Sequence, residues 1–218
     1  MRLSVMNAAE IAAQGYEIAT MIKMGRVPSA VKAHVDVSGA QAHMMAHGVM
    51  VIPGSNELLD WFSNFDVYRI LGKTFGRGQK GRGSTGAVFH AGFLRHASRL
   101  QRFAKEHDAQ LLVGHSLGAA AAQILGTSLA IPAIGFASPR VKFGKGKLKH
   151  ERGVLNICRA DDLVTRVPPS EAGFRRLGHS VRMVSQKTNP GMDHSMEHYI
   201  AALEEHVSAK GLPKTWPK

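Results

Sequence analysis

Cysteine is almost absent from this chain of 218 residues: Cys158 stands alone, which rules out an internal disulfide and a cysteine-based zinc site. Acidic residues are scarce as well, 16 Asp and Glu against 28 Lys and Arg, for a formal net charge of +12 and a pI near 10.2. Long apolar runs are missing, and no stretch approaches the ~20 consecutive apolar residues of a membrane-spanning helix. Near the N-terminus, Glu10, Gln14 and Glu17 interrupt the apolar segment that a secretory signal requires. A disulfide-free chain without such a signal fits a cytoplasmic origin, although a chain trimmed of a leader would read the same way. The remaining composition, 44% hydrophobic and 20% charged, is that of an ordinary globular protein. Its length suits one domain with a core of its own.

An excess of positive charge favours anionic partners. Here it is spread along the chain, with clusters at 73–82, 142–149 and Arg175-Arg176. No basic helix with base-reading residues, zinc finger or RNP-like aromatic motif accompanies it, so specific nucleic-acid binding is not expected. A solvated basic surface is the simpler expectation, with transient contact to an anionic lipid surface as the functional one. Gly72–Gly86 holds six glycines among Lys73, Arg77, Lys80 and Arg82 and reads as a surface loop. It lacks the strand–GxxxxGK[ST]–helix frame of a P-loop.

What the chain does have is Gly114-His115-Ser116-Leu117-Gly118. Leu111-Leu112-Val113 precedes it and Ala119-Ala120-Ala121-Ala122-Gln123-Ile124-Leu125 follows. A short buried strand, a G-x-S-x-G pentapeptide and a strong helix former together read as a nucleophile elbow. The turn is sharp enough that side chains two positions either side of the serine would clash, hence glycine at both. It also sets the Leu117 N–H at a helix N-terminus, where a developing oxyanion can be stabilised.

Periodicity organises the rest. Residues 8–24 carry Ile11, Ile18, Met21 and Ile22 at helical spacing; Phe93, Leu94, Ala97, Leu100, Phe103 and Ala104 mark a second amphipathic helix, and Tyr199, Ile200, Leu203 and Val207 a closing one. Strands are expected at 31–37, 42–52, 67–71, 110–113, 133–137, 154–158 and 181–184, with a short helix at 58–65. Strands alternating with helices predict an α/β fold, a mostly parallel central sheet flanked by helices and entered by an antiparallel pair.

A serine hydroxyl becomes a nucleophile when a base takes its proton and a carboxylate holds that base in the right tautomer. Behind an elbow the chain order is serine, acid, histidine, each on a loop beyond a strand end. Asp161 and Asp162 follow the strand at 154–158, and His194 follows Asp193 just before the last helix. His198 stands four residues on and shares a helix face with His194.

Several segments together resemble the class 3 lipase family. Gly114–Gly118 matches that family's elbow, Ala137-Ser138-Pro139-Arg140-Val141 its Gly-Ser-Pro-Arg-Val segment, and Asp162-Leu163-Val164-Thr165-Arg166-Val167-Pro168-Pro169 its acid-bearing segment. Asp193-His194-Ser195-Met196, with Tyr199 beyond, is similar to its Asp-His segment, and His90-Ala91-Gly92-Phe93 to its His-x-Gly-Phe. Gly54-Ser55 with Asp60-Trp61 is similar to its Arg-Gly-Thr/Ser…Asp/Asn-Trp segment. The likeness runs over 45–203 and implies one α/β-hydrolase domain over 1–218, residues 1–30 forming a leading helix and lead-in. It further implies a serine lipase or esterase with Ser116 as nucleophile, Asp162 as acid and His194 as base. Ser55 joins Leu117 as oxyanion donor, the substrate is a lipid or small acyl ester, and no metal or organic cofactor takes part. Pro53 replaces the family's arginine and Thr165 a proline. The same triad also serves thioesterases, acyltransferases and phospholipases, and a basic binding protein on a hydrolase scaffold is the remoter alternative.

Other polar residues have plainer readings. His43 and His47 have a helical metal-pair spacing inside a segment that reads as strand, with no third ligand. His179 is expected to be a hydrogen-bonded structural residue, Cys158 an inert core thiol, and His90 either a support of the elbow or a packing group.

Overall fold

The computed structural model describes residues 2–54, 80–184, 194–205 and 212–217. Its centre is a seven-stranded sheet. In chain order the strands are β2 (Val31–Val37), β3 (Ala40–Met45), β4 (Val49–Ile52), β7 (Leu111–His115), β8 (Ala133–Phe136), β10 (Val154–Arg159) and β12 (His179–Met183). Across the sheet they run β12-β10-β8-β7-β4-β3-β2. The five from β12 to β4 are parallel, and β2 and β3 enter as an antiparallel pair. β4, β7, β8 and β10 are buried along their whole length, which is why they read as mainly apolar runs, broken by His115, Asn156 and Arg159, as strands covered on both faces do.

Helices cover both faces. α2 (Ala91–Glu106) and α3 (Leu117–Leu129) pack on one, and α1 (Val5–Lys23) and α4 (Met196–Glu205) on the other. Ser4 starts α1 by accepting the Asn7 N–H at 3.0 Å, an N-cap. Between Val5 and Ile18 its buried stripe is small, Ala8, Ala9, Ala12 and Gly15, so the helix lies close on the sheet. α2 buries Phe93, Ala97, Leu100, Phe103 and Ala104 as its periodicity predicts. α3 is nearly all small and buried all round, wedged between sheet and α2.

Two further pieces lie outside the main sheet. β5 (Lys80–Arg82), β6 (Val88–His90), β9 (Lys142–Phe143) and β11 (Phe174–Arg175) make a small antiparallel sheet, and β1 (Leu3–Ser4) pairs with β13 (Thr215–Trp216). Among the described residues no helix is long and apolar enough to cross a membrane.

Several expectations need correcting. The run 42–52 is two strands, because the backbone turns at Ala46–Gly48 with left-handed conformations at His47 (φ 58°) and Gly48 (φ 72°). The last strand starts two residues early and stops at Met183, since Val181 and Met183 face inward while Val184 is exposed. In the glycine-rich stretch 72–86, Lys80–Arg82 is not loop but strand, paired with Val88–His90. The expected helix at 58–65 and strand at 67–71 lie outside the described residues.

Four histidines are held short of protonation. Burial, with neighbouring positive groups His34, Arg95 and Arg99 adding to it, lowers His43, His90 and His96 to about 4 from the ordinary 6.5. Burial, then the neighbouring His194, takes His115 to about 3. A depressed folded pKa means that the unfolded chain binds the proton first, so stability is complete above pH ~6.5 and is lost as pH falls toward 4. Urea unfolding at stepped pH should show stability dropping by roughly 3–5 kcal/mol per unit near pH 5, the slope of two to four protons taken up on unfolding.

Candidate active site

The site forms beyond the carboxyl ends of β4, β7 and β10, where an open α/β sheet gathers its functional groups. β7 ends at His115, and the chain turns into α3 through Ser116 at φ 57°, ψ −119°. An L-residue held there is strained, and the surroundings enforce it. A Cβ on Gly118 would stand 1.9 Å from the Ile52 carbonyl oxygen, and one on Gly114 would stand 2.4 Å from that of Gly118. Gly118 is therefore required by packing the turn against β4, and Gly114 by the tightness of the turn itself.

Ser116 Oγ lies 2.8 Å from His194 Nε2, and His194 Nδ1 lies 3.0 Å from Asp162 Oδ2. All three side chains are buried. Asp162 follows β10 at the head of the 3₁₀ turn Leu163–Arg166, and its Oδ1 accepts the Val164 N–H at 2.9 Å. Tyr199 of α4 donates its hydroxyl to Oδ2 at 2.8 Å and accepts the Arg159 N–H at 3.0 Å. Burial opposes the charge on Asp162. The hydrogen bonds from His194, Tyr199 and Val164 outweigh it and hold the carboxyl below its usual range. Burial and the Asp162 charge push the Tyr199 phenol up, which keeps it a donor.

The carboxylate accepts, so His194 Nδ1 carries the proton and Nε2 presents its lone pair to the Ser116 hydroxyl. Asp161 is occupied elsewhere, gripping Arg159 through both oxygens at 3.0 and 2.8 Å. The His198 ring is 3.4 Å from Ser195 Oγ, and its carbonyl accepts from Arg159. Leu117 opens α3, so its N–H has no intrahelical acceptor. Ser55 lies outside the described residues, but Gly54 just before it abuts Ser116 Cβ.

A second network runs beneath the first. His115 Nε2 is 2.8 Å from the His194 carbonyl, which can only accept, so that nitrogen carries the proton. Its Nδ1 then accepts from the Tyr16 hydroxyl at 2.6 Å, and Tyr16 accepts the Gly54 N–H at 2.9 Å. One chain of hydrogen bonds thus joins the segment leading to Ser55 with the backbone of His194. Burial raises the Tyr16 phenol well above its ordinary range. Sequence reasoning missed Tyr16 and the role of His115. His115 was visible inside the pentapeptide, whereas nothing local ties Tyr16 to a residue 99 positions away.

Other candidates fall outside the site. His90 packs on Phe93 and Phe174 with ring centres 4.7 and 6.0 Å away. The His179 side chain is exposed, and only its carbonyl meets Asn156. His43 is buried in β3 while His47 is exposed on the turn beyond, so they form no pair. Cys158 is buried, and burial pushes its thiol up.

The family model for "Lipase (class 3)" matches residues 49–172, more than half of the chain and including the elbow and the Asp162 turn. The chain belongs to the class 3 lipase family. As such it is a hydrolase of carboxylic ester bonds. Its fold is similar to that of lipase II from Rhizopus niveus, at 16% identity over 87% of this chain and 84% of that one, with a TM-score of 0.58. The Rhizomucor miehei triacylglyceride lipase is similar at 15% identity over 84% and 83% of the two chains, TM-score 0.58. Lip2 lipase from Yarrowia lipolytica matches at 15% over 82% and 77%, TM-score 0.52. At such identities the likeness establishes the shared α/β-hydrolase fold. No curated protein matches the sequence significantly.

Two substitutions test the lipase scaffold. Tyr16→Phe leaves the Gly54 N–H and His115 Nδ1 without their partner and should cost about 1–3 kcal/mol in chemical denaturation. Gly118→Ala drives a methyl into the Ile52 carbonyl and should cost 1–3 kcal/mol or more, with ester hydrolysis lost even where the protein remains folded by circular dichroism.

Proposed function

We propose that this lipase-family hydrolase cleaves acyl esters of lipids through an acyl-enzyme on Ser116. The line Asp162–His194–Ser116, at 3.0 and 2.8 Å, carries the reading. His194 Nε2 takes the hydroxyl proton as Oγ attacks the ester carbonyl. The positive charge that forms on the imidazole faces Asp162, already held ionised by three donors. Negative charge on the former carbonyl oxygen is met by the Leu117 N–H and, following the family resemblance, by Ser55. His194 then returns its proton to the leaving alcohol, the tetrahedral adduct collapses to the ester on Ser116, and water repeats the sequence to release the acid.

The same site would open thioesters, and it would acylate an acceptor alcohol if water were excluded. The family match favours esters and water. An excess of positive charge suits a protein that meets its substrate at an anionic lipid surface.

Ser116→Ala should lower kcat by around 10⁶ with the fold intact. Asp162→Asn should lower it by about 10⁴, because the neutral amide turns His194 into the wrong tautomer. Both are read on p-nitrophenyl esters of rising chain length, beside phospholipid and triglyceride emulsions that separate esterase, phospholipase and lipase. Ester turnover that survives Ser116→Ala would overturn the reading.

A further inference from the structure

Behind the turn that carries Asp162, a cavity of about 400 Å³ opens against the edge of the sheet formed by β10 and β12. Cys158 and Arg182 are register partners there, so they face the same side, the one on which α2 and α3 pack. Five arginines line the cavity: Arg159 is paired with Asp161, which leaves Arg140, Arg166, Arg176 and Arg182, and Ser180 contributes a hydroxyl.

Three of these guanidinium groups are pinned by backbone carbonyls. Arg140 donates to Arg166 and, at 3.1 Å, to Pro168; Arg166 donates to Ala160 at 2.7 Å; Arg176 donates to Thr165 and, at 2.6 Å, to Ser138. A carbonyl fixes where a guanidinium sits but supplies no net negative charge. Among the described residues, none of the four arginines has a carboxylate within ion-pairing distance. Asp161 gives both oxygens to Arg159, and Glu171, bonded to Ser170, acts on Arg140 only from longer range. Burial and the charge of Arg176 push the Arg140 guanidinium below its usual pKa, so the crowding is felt.

Like charges converging on one cavity repel unless an anion lies among them. Planar forks of donors, already held in place, suit the tetrahedral oxygens of a phosphate group better than a single carboxylate. We propose that this arginine cavity is a binding site for a phosphate group, either as the free ion or as the headgroup of a phosphorylated lipid. It is distinct from the ester site. Thr165 and Arg166 of the Asp162 turn form its wall, while the Asp162 carboxylate faces His194 on the other side. A bound anion draws Arg140, Arg166 and Arg176 together and stiffens the turn that positions Asp162.

Thermal unfolding of the whole chain in sodium phosphate, against sodium chloride of matched ionic strength, tests this directly. Tm should rise saturably in phosphate and not in chloride. Arg182→Glu places a carboxylate in the cavity, so its Tm without phosphate should equal or exceed that of the wild type and its phosphate response should vanish. Arg166→Gln with Arg182→Gln, both on exposed side chains, should raise the half-saturating phosphate concentration at least tenfold. No saturable rise in the wild type, or an undiminished response in Arg182→Glu, would overturn the proposal. Sedimentation with phosphatidylcholine vesicles containing phosphatidic acid identifies the source. Binding that the double variant loses and free phosphate competes away assigns the headgroup; equal binding by both proteins, with the thermal response intact, assigns the free ion. Hydrolysis of a soluble p-nitrophenyl ester, read separately, keeps a failure at Ser116 distinct from a failure here.

Discussion

A negative charge must be kept in the interior at Asp162, and the arrangement of the site follows from that requirement. A buried carboxylate is stable only when its oxygens are met by donors. Here they come from three places in the chain: Val164 on the turn after β10, Tyr199 on α4, and His194. Each partner brings its own element with it. Tyr199 also binds the Arg159 N–H, so the same hydroxyl that stabilises the charge sets α4 against the end of β10. The ring that Asp162 orients is therefore held by the packing of the closing helix as well as by its own hydrogen bond.

The serine arrives from the other side of this arrangement. Its strained backbone is fixed by the contact of Gly118 with β4, a packing constraint in which no charge takes part. Next to it, His115 faces the opposite way and, kept neutral by burial, holds Tyr16 on one nitrogen and the His194 carbonyl on the other. Adjacent residues at the end of one strand thus serve two networks, one to the His194 ring and one to its backbone. Small residues make this possible: the Ala/Gly stripe of α1, with Gly15 against Val51, lets that helix lie close on the sheet, where Tyr16 reaches His115.

Much of the fold was legible in the chain itself, for identifiable reasons. The central strands are covered on both faces and so read as apolar runs; α2 is covered on one and so reads as a period. Where local signal and tertiary role part company, reading failed. Residues 42–52 conceal a turn because His47 adopts a left-handed backbone without the usual turn residue at that position. Lys80–Arg82 looks like loop because its three residues, Lys-Gly-Arg, carry no apolar pattern, and only the pairing with Val88–His90 makes them a strand. Ser116, the acid turn and His194 stood out through their order and their place beyond strand ends. The choice between Asp161 and Asp162 was not readable from their own chemistry. It turns on Arg159, which takes one carboxylate and leaves the other for His194.

The central claim is that His194, held by Asp162, makes the Ser116 oxygen the reacting atom. Labelling with a fluorophosphonate, followed by peptide mapping in a mass spectrometer, addresses that claim at the atom itself. The account predicts one adduct per chain on Ser116, formed far more slowly when His194 is replaced by alanine. An enzyme that turns over esters while its adduct maps to any other residue, or that labels equally fast without His194, would contradict it.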